Sequence, residues 1–111
     1  MSDLELLPSR LRDLSISPRE IVLPLAAALE AIDILESQGA YILGWEGWVK
    51  DVEGRRGHGT APQGWSADPT RHSVHDAAQL CRDTIAPDAA QWTNDYPGST
   101  DVLHICITVR A

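Results

Sequence analysis

Four histidines, a pair of adjacent arginines and sixteen carboxylates are the groups in this 111-residue chain that could carry chemistry. His72 and His75 stand three apart and straddle a helix start, with His58 and Asp76 as conceivable further ligands. A zinc site needs three or four ligands at set spacing. The complete patterns Cys-x-x-Cys, His-Glu-x-x-His and Gly-x-x-x-x-Gly-Lys are absent from the chain. Cleavage of a phosphodiester would pair His58 with His72 or His104 as acid and base and hold the phosphate on Arg55 and Arg56. Glycosidase chemistry would use a carboxylate pair such as Glu46 and Asp51. Both demand two groups within reach of one substrate atom, and no spacing here enforces that. The expectation is a non-enzymatic protein with no catalytic residue, no metal and no cofactor.

The run "GWEGWVKDVEGRRGHG", Gly44 to Gly59, holds two tryptophans and five glycines. Trp and Tyr offer large rigid contact area with a polar tip, and they dominate interface hot spots. With acids around them, Trp45, Glu46, Trp48, Asp51, Glu53 and Trp65 form the candidate partner-binding set. The competing reading is that the rings pack at the core and the sheet edge. Alternation puts Tyr41, Leu43 and Trp45 on one face, but Gly44 and Gly47 point to a bulge, so the facing of Trp48 stays open.

Several elements must position these residues. Residues 1–20, with leucines interrupted by Pro8 and Pro18, read as an N-terminal arm laid on the surface of one domain, 21–111. After Pro24, the residues Leu25, Leu29, Ile32 and Leu35 recur at helical spacing, and Gly39 suits the C-cap. Glu30, Asp33 and Glu36 share that helix's outer face. "AYILGW" reads as a strand, followed by a second strand, a turn tip at Glu53-Gly54 and a third extended piece over 56–66. Ser73 opens a second helix with a capping box to Asp76. Pro87 either breaks it or opens a short further helix through Trp92. "DVLHICITVR" alternates as a half-covered strand, with Leu103, Ile105, Ile107 and Val109 on one face and His104, Cys106, Thr108 and Arg110 on the other. The predicted class is α+β: a small antiparallel or mixed sheet of three to four strands with two helices packed on one face.

Sixteen acids against nine bases give a net charge of −7. Such a surface repels nucleic acid and anionic membranes, and it speeds encounter with a basic protein. No apolar run approaches the roughly 20 residues of a membrane helix. The N-terminus lacks a signal-peptide pattern. A cytoplasmic location is expected, with Cys81 and Cys106 as reduced core residues.

The run "AALEAIDILESQGAYILGWEGW", Ala27 to Trp48, resembles the immunity proteins that neutralise colicin-type tRNA-cleaving toxins. The matching residues are Gly39, Tyr41, Ile42, Leu43, Gly44, Glu46 and Gly47, and "HICITVR" is similar to the family's closing apolar strand. About half the chain is covered, while the arm and the segment 54–71 depart from the pattern. The resemblance implies an α+β inhibitor that occludes the RNA-binding cleft of a cognate basic nuclease toxin domain. It would contact no nucleic acid and no membrane, and would be a monomer or weak dimer when free. An acidic interaction domain of unrelated role, a small hydrolase and a metal-binding protein remain as alternatives.

Overall fold

The computed structural model describes residues 3–110. A 3-10 turn, Asp3–Leu6, and a one-turn helix α1, Ser9–Arg12, lead into β1, Ile21–Pro24. Helix α2, Leu25–Ser37, β2, Ile42–Lys50, β3, Arg56–Gly57, and β4, Trp65–Ser66, follow. Helix α3, Val74–Asp95, and β5, Val102–Val109, close the chain. The five strands form one antiparallel sheet in the order β1-β5-β2-β3, with β4 also paired to β2. The fold is α+β as expected, with more strands than the three or four predicted.

The extra strand is β1. Ile21, Val22 and Leu23 are fully buried and pair with Ile107, Cys106 and Ile105. Four residues are too few to show a period, and burial on both faces removes the alternation that marks a half-exposed strand. The two strands expected between Ala40 and Lys50 are one continuous β2, with its register shift between Ile42 and Gly44. The hairpin tip lies where it was read, with Gly54 N–H donating to the Asp51 carbonyl at 3.0 Å.

The arm contributes to the core. Leu4, Leu7 and Leu11 are buried in the same cluster as Leu23, Ile32, Ile85 and Ile105. Each such leucine stabilises by about 1.5–3 kcal/mol. Arg10 pairs with Glu30 at 2.6 Å, and Gln38 donates to the Leu6 carbonyl at 2.9 Å, so the arm is tied along α2. A surface arm was expected because Pro8 and Pro18 mask the leucine spacing.

Helix α3 begins at the Ser73–Asp76 capping box and runs unbroken through Pro87. An internal proline removes one hydrogen bond and costs about 3 kcal/mol. Ile85 and Ala89, buried on either side of it, hold the helix against the core across that cost. The expected break is therefore overridden by tertiary packing.

The outer face of α2 is not the open acidic surface that its spacing suggested. Arg82 of α3 bonds Asp33 at 2.7 Å and also Glu36, while Glu36 accepts from His75 Nδ1 at 2.6 Å. Arg82 first, and His75 second, hold the Glu36 carboxyl below the ordinary range. These acids are paired with groups distant in sequence, which helical periodicity cannot reveal.

Pro87→Ala supplies the missing donor, and should raise stability to chemical denaturation by about 1–3 kcal/mol. An unchanged or lower midpoint would mean that the packing around Ile85 and Ala89 depends on the proline ring.

Candidate partner-binding surface

Strand geometry divides the aromatic run between the two faces of the sheet. Trp45 lies opposite Ile107 and faces the helices, while Trp48 lies opposite His104 and faces away from them. The two rings are three apart on a stretch of β2 that pairs without a break, and side-chain alternation therefore sends them to opposite faces. Trp45 is 4% exposed, and its indole Nε1 donates to Thr84 Oγ1 of α3 at 2.9 Å. It was expected on the partner surface, but its ring is committed to the core. Trp65 pairs with Trp45 across β4, packs partly buried against the core and lies 5.8 Å from the His72 ring. It too serves packing at the sheet edge.

Asp51 and Glu53 sit at the hairpin tip as expected, but both are bound to Arg55, at 2.7 and 3.3 Å. One guanidinium offsets part of their charge, because a tight turn brings residues 51 to 55 together.

Glu46 and Trp48 remain as a pair on the face away from the helices. They are two apart on a strand and so share that face. Trp48 Nε1 donates to Glu46 Oε1 at 3.3 Å. The His58 ring meets Trp48 edge-on, with centroids 5.7 Å apart. No cation of the described residues pairs with Glu46. A recess of about 380 Å³ opens beside it, lined by Glu46, His58, Gly59, Ala61, Pro62 and Gln63.

The wall of that recess is held by backbone. Gly47 N–H donates to the Pro62 carbonyl at 2.9 Å, and the His58 Nδ1–H donates to the Gly47 carbonyl at 3.2 Å. The loop thus occupies the β2 edge between β3 and β4. A Cβ on Gly47 would stand 2.7 Å from the Pro62 oxygen, so only glycine lets the loop come this close. Gly64, at φ +96°, plays the same part against the Trp45 carbonyl.

The histidines do not converge. His58 and His104 flank Trp48 on opposite sides. His72 Nδ1 accepts from the Asp68 amide at 3.1 Å, and His75 is bound to Glu36. Arg55 is engaged at the hairpin tip. Among the described residues no three of His, Cys, Asp and Glu gather as a ligand set. Burial pushes the Cys81 thiol up to about 12, and burial joined by the carboxylates of Glu20, Glu46 and Asp3 does the same at Cys106. Both are protonated thiols, not nucleophiles. His104 is held below the ordinary histidine value, chiefly by burial, although its Nδ1–H donates to the Val102 carbonyl. What the face offers is an unpaired carboxylate, a positioned indole and a recess.

No protein family, curated protein or solved structure matches this chain. A functional reading therefore stands on the surface itself.

The burial of His104 has a consequence for pH. The unfolded chain takes up a proton near pH 6.5 that the folded chain resists, so this residue's contribution is complete above about pH 6.5 and is lost as pH falls through the folded value. Stability should drop as pH falls below about 6.5, and His104→Asn, whose amide can still donate to Val102, should flatten that limb. Urea midpoints across the range decide it, and identical profiles would contradict the assignment.

Proposed function

We propose that this protein is an immunity-type inhibitor that binds a cognate cytotoxic ribonuclease and occludes its basic RNA-binding cleft. The observation that carries the reading is the Glu46–Trp48 pair. It presents an unpaired carboxylate and a fixed indole beside a recess, on the sheet face that the helices leave free. A carboxylate can stand in for a phosphate and a ring for a stacked base. The net charge of −7 favours encounter with a basic surface. The resemblance to immunity proteins of tRNA-cleaving toxins includes residues of the same strand, Ile42, Leu43, Gly44, Glu46 and Gly47.

In this reading no chemistry is performed by the chain. Binding is competitive: the nuclease's cationic groups are answered by Glu46, and its substrate is excluded by the bulk of β2 and the loop 58–64. The core tryptophan, Trp45, backs the surface from the far side of the sheet. Asp51 and Glu53 lie at the rim and contribute less than their charge suggests, because Arg55 holds them.

The test uses the product of the gene adjacent to this one. That product should cleave tRNA, and the cleavage should stop at equimolar inhibitor. Trp48→Ala should weaken inhibition by about thirtyfold, or about 2 kcal/mol, the loss typical of a hot spot. A neighbour without nuclease activity, or full inhibition by a folded Trp48→Ala protein, would overturn the reading.

A further inference from the structure

Asp88, Gln91, Trp92, Asp95 and Tyr96 recur at i, i+3, i+4, i+7 and i+8 along the second half of α3 and its cap. That is the spacing of a single helical face. Here the face is aromatic and acidic instead of aliphatic, and it lines a cleft of about 350 Å³ against Thr60 and Gln63 of the loop.

The walls are positioned from both sides. Trp92 Nε1 donates to Thr60 Oγ1 at 3.0 Å, which fixes the indole to the loop. The loop is in turn fixed to β2 through the Gly47–Pro62 hydrogen bond. Tyr96, 42% exposed, lies beside Trp92 with ring centroids 6.0 Å apart and planes 40° apart. Two aromatic rings thus border an open cleft.

Three features of this cleft select a cation. The aromatic rings attract positive charge at their faces. Asp88 and Asp95 line it without an ion-pair partner among the described residues, unlike Glu30, Asp33 and Glu36 of α2, which pair with Arg10 and Arg82. Asp95 accepts only a neutral bond, from Gln91 Nε2 at 2.8 Å. Finally, the cleft sits at the C-terminal end of a 22-residue helix, the negative end of its dipole. No basic residue lies in the last turn to offset it.

We propose that this cleft is a receptor for an arginine side chain presented by a basic protein, with the guanidinium stacked on Trp92 or Tyr96 and bonded to Asp88 or Asp95. Arginine fits better than lysine, because its planar fork stacks on a ring and bonds a carboxylate at the same time. The inference deepens the reading of a basic partner and rests on it only for the identity of the protein that carries the arginine. The cleft and the Glu46 recess lie on either side of the loop 60–64 and share Pro62 and Gln63. One partner could therefore engage both.

The experiment is an NMR titration of the ¹⁵N-labelled full chain with acetylated, amidated tetra-arginine. Matched tetra-lysine and tetra-citrulline peptides serve as comparisons, citrulline having the shape of arginine without the charge. The Trp92 indole N–H and the Tyr96 amide should shift saturably with tetra-arginine, several-fold more weakly with tetra-lysine and not with tetra-citrulline. Asp88→Asn with Asp95→Asn should weaken the response by about tenfold, with the Trp45 and Trp48 indole signals unmoved as a check on folding. No saturable shift at Trp92, an equal shift with citrulline, or an undiminished shift in the double variant would overturn the site. Equal affinity for lysine would overturn the stacking. A positive titration beside failed tRNA protection would leave the cleft standing and remove the inhibitor reading. Intact protection without the titration would remove the cleft alone.

Discussion

The pairing of β5 with β2 on one side and β1 on the other is the constraint from which the rest of the structure follows. The last strand of the chain occupies the middle of the sheet, so β1 and β2 never meet and are joined only through it. Its register with β2, from Ile42 opposite Val109 to Lys50 opposite Val102, decides which side chains turn to the helices and which turn away. A slip of one residue would exchange the two faces. Trp45 would then leave its bond to Thr84, and Trp48 would enter the core in its place.

The central position of β5 also explains why both of its faces are dry in the middle. Ile105 and Ile107 lie in one core cluster with residues of α2 and α3, while His104 and Cys106 are 5% and 3% exposed on the other face. The alternation in "DVLHICITVR" correctly separates the two sets but implies a wet outer face. Neighbouring strands supply the cover, with Val22 across from Cys106 on β1, and Glu46 and Trp48 across from Cys106 and His104 on β2. The helix α2, its Gly39 cap, the Ser73 capping box and the Glu53-Gly54 tip are legible because each is a local signal. β1, the unbroken α3 and the burial of Leu4, Leu7 and Leu11 are not, because each depends on partners far away in the chain.

The same division governs the candidate site. Glu46 and Trp48 stand out in the sequence as an acid and an aromatic among glycines, and the structure keeps them together. The acids of α2 stand out equally, yet Arg82 reaches Asp33 across 49 positions and removes them from the free charge. Conversely, Trp92 follows a proline and lies outside the glycine-rich run, so composition does not single it out. The spacing of Asp88, Gln91, Trp92, Asp95 and Tyr96 is the sequence signal for it, and it shows only when the helix continues through Pro87. Glu46, Asp88 and Asp95 carry no ion pair among the described residues, whereas Asp33 and Glu36 do.

If capture of a basic partner is the role of this fold, hydrogen exchange of the chain with and without the adjacent-gene product tests it most directly. Protection should appear in two segments, Glu46–Lys50 of β2 and the loop 58–64, with the outer face of α2 unchanged. Protection confined to α2, or no difference between free and mixed protein, would contradict the account.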